Sequence, residues 1–142
     1  MVFMPPDQDA WNQALAAILR DFNCDSGTIH LLEPDGLLHL KAYTANVPAP
    51  VIDAVRTVPV GKGMAGLAVE RKTHVDACNI QTDTSGDVRP GARATGLQGA
   101  IVLPMMKNGQ ALGALGVASF RERTFAPEEI ARLRAIAEEL VR

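Results

Sequence analysis

Lys107-Asn108-Gly109 stands between two runs of apolar and small residues, 99–106 and 110–120. Asn-Gly is the strongest short-range hairpin signal, because a two-residue turn that follows the twist of its strands needs positive φ at both central positions. The two runs therefore pair antiparallel with each other. A second pair, Thr28 to Glu33 and Leu37 to Thr44, is separated by Pro34-Asp35-Gly36. These residues supply a fixed φ, a side-chain turn bond and a positive φ. Strands paired locally rather than through βαβ crossovers disfavour a parallel dinucleotide fold and predict an antiparallel α+β domain.

Helical periodicity brackets this sheet. Trp11, Leu15, Ile18 and Phe22 recur at intervals of four, three and four, one face of an amphipathic helix over 9–22. Ile130, Leu133, Ala137 and Leu140 form a coiled-coil-like seam in a final helix from Pro127 to Arg142. Short helices are predicted at 51–56 and 64–71, and a brief strand at 74–77. From Cys78 to Gly96 the chain shows no period and reads as a long surface segment, of the length that is usually functional or disordered. With 142 residues, a single domain over 1–142, with its core at about 9–141, is expected.

Charge and composition exclude several function classes. Fourteen Lys and Arg against sixteen Asp and Glu leave no basic excess for nucleic acid or anionic lipid. No apolar run approaches the roughly 18 residues of a membrane helix. The N-terminus has no basic residue before Arg20 and no apolar h-region, so no signal peptide is read and a cytoplasmic setting is expected. Cys24 and Cys78 form no CxxC and have no His in ligand spacing. Buried free thiols in a reducing compartment are expected, with no metal and no cofactor.

Strand alternation separates the sheet into two faces. Ile29, Leu31, Leu115 and Val117 make a bulky apolar face suited to a helical cover, while Thr28, His30, Ala114, Gly116 and Ala118 make a small, partly polar one. A ligand or closely packed loops must fill the space over the second face. Gly61-Lys62-Gly63-Met64-Ala65-Gly66 matches GxGxxG, but Pro59 in the preceding segment suits an edge strand, and no second strand returns as a βαβ unit. The glycines are read as a tight turn into a helix whose N-terminus could attract an anion. Candidate ligand-binding residues are Thr28, His30, Met64, Cys78, Arg89, Arg93 and Gly116. In this set His30 would exchange a hydrogen bond with the ligand and an Arg would pair a carboxylate or phosphate.

The ordered set of Gly61 to Gly66, Gly99-Ala-Ile-Val-Leu-Pro104, Leu112-Gly113-Ala114-Leu115-Gly116-Val117 and Phe125-Ala-Pro-Glu-Glu resembles a GAF domain over nearly the whole chain. That resemblance implies a GAF/PAS-like antiparallel sheet in the order 2-1-5-4-3. It places the terminal helices on one face, and short helices, loops and a ligand pocket on the other. It also implies a non-catalytic sensory or regulatory role, in which an unidentified small molecule is coupled to homodimerisation through the terminal helices or to an output signalling domain. A purely structural dimerisation module is the alternative.

The family's free methionine sulfoxide reductases carry one cysteine where this chain has Ala65 and a second in the loop where it has Arg89 to Arg93. That activity is therefore not expected, and the chain is read as no enzyme. Bilin attachment lacks its Cys-His pair, haem ligation lacks a His in the loop before the fourth strand, and Ser119-Phe120 stands where the cyclic-nucleotide signature opens with Asn-Lys. The last departure weakens cyclic-nucleotide binding without excluding it.

Overall fold

Asn108 and Gly109 adopt φ values of 52° and 77° in the computed structural model, and Lys107 pairs with Gln110 across them. The structure describes residues 8–88 and 95–141. In chain order the elements are α1 (Gln8–Phe22), β1 (Ser26–Leu32), β2 (Leu37–Tyr43), α2 (Ala49–Val55), β3 (Thr57–Pro59), α3 (Gly63–Arg71), β4 (Val75–Ala77), β5 (Ala100–Lys107), β6 (Gln110–Ala118) and α4 (Pro127–Leu140). At the first hairpin Gly36 takes φ 81°, and the Leu37 N–H donates to Asp35 Oδ1 at 2.9 Å.

All strand pairs are antiparallel, in the order β3-β2-β1-β6-β5-β4. The five expected strands follow the expected 2-1-5-4-3 sequence of neighbours. The correction is a sixth strand, β3, which extends the sheet beyond β2 by pairing Thr57 to Pro59 with Leu37 to His39. Pro59 has no N–H to give, and an edge position tolerates that.

The terminal helices cover one face. Trp11, Leu15, Ile18 and Phe22 of α1 join Leu133 and Ala137 of α4 over Ile29, Ile101, Leu103, Leu115 and Val117, all buried. The α4 seam is turned inward on this chain's own sheet, since Ile130 and Leu140 are half-buried against the same core. Leu140, which a seam coiled against a second helix would turn outward, packs instead on this chain's own core. At the start of α4, Glu129 accepts the Ala126 N–H at 3.0 Å and the Arg123 guanidinium at 2.7 Å. Both bonds hold its carboxyl below the usual range, the backbone bond most strongly. Arg123 also donates to the Asn23 carbonyl at 3.1 Å, tying the end of α1 to the start of α4.

The opposite face carries α2, α3 and the segment after β4. That segment departs from the expected surface loop, because Ile80 and Val88 are buried in a small cluster with Ala77, Leu97, Ala100 and Ala118. The Ile80 N–H donates to the Gln98 carbonyl at 2.7 Å, and Arg71 grips Asp87 through two bonds of 3.0 and 3.1 Å. Two apolar side chains among many polar ones produce no period, which is why their burial left no pattern. No helix among the described residues is long and apolar enough to cross a membrane.

Candidate ligand-binding cavity

Over the small-residue face, between β1, β6 and β5 below and α2 and α3 above, lies a cavity of about 510 Å³. It exists because the inward positions of these strands carry little bulk. Thr28 pairs with Gly116 and Ser26 with Ala118 across β1 and β6, while Ala100 and Val102 continue the floor on β5. A Cβ on Gly116 would stand 3.1 Å from Thr28 Oγ1 and 3.5 Å from Val102 Cγ2, so glycine here keeps the centre of the floor low.

The roof begins at Pro48, whose fixed φ of −59° leads into α2, with Pro50 in the first turn where a missing N–H costs nothing. Val51, Ile52 and Val55 face the cavity. His30, only 3% exposed, reaches from β1 to the end of this helix and places Nε2 2.8 Å from the Val55 carbonyl oxygen. Burial pushes the imidazole below its usual pKa, against the opposing effect of the Val55 bond and with a smaller contribution from His39. The ring is therefore neutral at pH 7, Nε2–H donates, and Nδ1 is buried with no partner among the described residues. His30 is a strut between sheet and roof.

The second part of the roof is the start of α3. Gly61 at φ 91° and Gly63 at φ 64° fold the chain back, and the Gly61 N–H donates to the Gly66 carbonyl at 2.9 Å. A Cβ on Gly66 would lie 2.3 Å from the Pro59 oxygen, so this position has room for glycine alone. The turn presents Met64 and Ala65 to the cavity, with the exposed Lys62 at its rim.

Of the residues singled out from sequence, Thr28, His30, Met64 and Gly116 line one cavity. Cys78 does not. Ala77 ends β4 with its side chain inward, and alternation turns the next residue outward, so Cys78 is exposed rather than buried. Cys24 is half-buried against the helix-covered core, where burial raises its thiol pKa despite the nearby Arg123. Arg89 and Arg93 lie outside the described residues. Sequence reasoning missed the α2 residues, Lys62, and Ser26, whose Oγ lies 2.7 Å from Thr44 Oγ1 at one end of the floor. The proline pair at 48 and 50 marked a helix start, but nothing local shows what α2 covers.

A family model described as GAF domain matches residues 7–141. A comparison with curated proteins finds no match. Among solved structures, the GAF domain of a phosphoenolpyruvate-protein phosphotransferase from Coxiella burnetii superposes with a TM-score of 0.77 at 20% identity, covering 96% of this chain and 81% of that one. A domain of a two-component sensor histidine kinase protein from Sinorhizobium meliloti gives 0.73 at 19% identity, covering 94% and 87%. The free methionine-R-sulfoxide reductase of Neisseria meningitidis, in complex with its substrate, gives 0.75 at 18% identity, covering 94% and 74%. At these identities the likeness establishes the fold.

Proposed function

This chain belongs to the GAF-domain family, and we propose that it is a non-catalytic sensory or regulatory module. It binds a small molecule in the cavity under α2 and α3 and couples occupancy to dimerisation or to an output domain. The carrying observation is the cavity itself. Its volume of about 510 Å³ falls within the roughly 300–1,000 Å³ of small-molecule sites, and its walls are apolar with a few polar groups. A module used only for dimerisation would have no need to keep this space open.

Two observations favour regulation over turnover. Neither Cys24 nor Cys78 borders the cavity, so the thiol chemistry of the reductase relatives has no nucleophile here. Within β1, Thr28 and His30 face the cavity while Ile29 and Leu31 face the terminal helices. A ligand that displaces β1 on one face therefore moves the packing of α1 and α4 on the other. The two unpaired thiols suit a cytoplasmic setting.

Native mass spectrometry of the purified chain tests this reading. A bound small molecule is expected in the unmodified protein and absent from Gly116→Leu, whose side chain enters the cavity past Thr28 and Val102. Burying a Leu side chain returns about 1.5–3 kcal/mol and overpacking costs about 1–3 kcal/mol, so the variant should unfold close to the parent. Failure of the unmodified chain to retain or take up any small molecule across a metabolite panel would refute the reading. So would binding untouched by Gly116→Leu.

A further inference from the structure

The polar groups around the cavity are few, and most are committed to the protein. Ser26 Oγ is engaged with Thr44 Oγ1 at 2.7 Å. His30 spends Nε2 on the Val55 carbonyl, and its Nδ1 is sealed from contact. Thr28 differs. Its Oγ1 has no hydrogen-bond partner among the described residues and borders the space that Gly116 leaves empty, 3.1 Å from where a Cβ would stand. A hydroxyl in that position can donate one hydrogen bond and accept another.

Charge is equally sparse. Among the described lining residues there is no carboxylate, and the one charged side chain is Lys62, exposed at the rim. A cation placed on the floor beside Thr28 would lose its hydration and find no counter-charge among the described residues. An anion there would find among them only Lys62, at the rim. Burying either without a partner is costly, whereas an apolar body meets Val55, Met64 and Val102 without desolvating anything polar.

We infer that the cavity selects an uncharged, mainly apolar molecule bearing one hydroxyl-like group that hydrogen-bonds to Thr28 Oγ1 above Gly116. This deepens the ligand-binding reading above and rests on it. His30 takes no part in ligand hydrogen bonding and instead holds the roof in place.

Four naphthalenes of one shape serve as probes: 1-naphthylmethanol, 1-methylnaphthalene, 1-naphthoate and 1-naphthylmethylammonium, each titrated calorimetrically into the unmodified chain, Thr28→Val, Thr28→Ser and Gly116→Leu. The alcohol should bind the unmodified chain at least about tenfold more tightly than either ion. Thr28→Val keeps the volume and removes the hydroxyl, so it should weaken the alcohol by about threefold to tenfold, the worth of one neutral hydrogen bond. It should leave 1-methylnaphthalene unchanged, and Thr28→Ser should restore the alcohol. Tighter binding of naphthoate or the ammonium, lost in Gly116→Leu, would overturn this ligand class while leaving the cavity as the binding site. An alcohol affinity indifferent to Thr28→Val would overturn the role of Thr28. Failure of all four probes, together with no small molecule retained in native mass spectrometry, would overturn both this inference and the reading beneath it.

Discussion

Substituting His30 by Phe isolates the strut between sheet and roof. The ring volume is kept, but the Nε2–H that meets the Val55 oxygen at 2.8 Å is lost. An unpaired carbonyl at the end of α2 costs about 1–3 kcal/mol, and removing the partnerless Nδ1 returns a sum of the same size. At pH 8 the variant should therefore lie within about 2 kcal/mol of the parent, with the α2 amides exchanging faster because the tether is gone.

The diagnostic signal is pH dependence. Burial lowers the folded-state pKa of His30 below 6.5. On acidification the unfolded chain therefore binds a proton before the folded chain does. Stability of the parent falls as pH drops through about 6.5, by at most about 1.4 kcal/mol per pH unit, and levels off once the folded form is also protonated. His30→Phe lacks this loss. Urea unfolding of both proteins from pH 8 to pH 5 should show a parent-minus-variant difference that rises with pH across that window, because titrating groups that do not interact with His30 contribute equally to both proteins. Parallel curves would refute the assignment of His30 as a buried neutral ring.

Three further outcomes follow from the packing. Gly66→Ala forces a Cβ to within 2.3 Å of the Pro59 oxygen, and should destabilise the domain by about 1–3 kcal/mol or more in denaturant unfolding. Arg71→Ala releases Asp87 from a pair whose Arg is 46% exposed. It should leave global stability nearly unchanged, as expected for a solvent-screened pair, yet speed amide exchange around Val88, an effect that high salt reproduces in the parent. Dimerisation through α1 and α4 predicts a sedimentation coefficient that rises with concentration into the tens of micromolar, and a strictly monomeric profile would remove that part of the proposal.

Local chemistry carried much of this architecture into the sequence. A two-residue Asn108-Gly109 turn with both φ positive admits only a tight hairpin, and the spacing of Trp11, Leu15, Ile18 and Phe22 admits only a one-faced helix. Alternation along β1 and β6 likewise separated the face that packs α1 and α4 from the face that stays shallow, so Thr28, His30 and Gly116 were legible as neighbours over one space. Each of these depends on residues within a few positions of one another or on a fixed period.

Tertiary structure decided what such short-range rules cannot reach. Strand β3 has three residues, too few to show a period, and exists because β2 offers it an edge. Ile80 and Val88 are buried through their approach to Ala77, Leu97 and Ala100, while Cys78 is exposed because Ala77 takes the inward position beside it. From sequence alone His30 can exchange a hydrogen bond with a ligand, whereas in the fold its Nε2 meets a backbone carbonyl 25 positions away. A donor goes to whichever acceptor the fold brings within reach, and only the packing of α2 over β1 put the Val55 oxygen there.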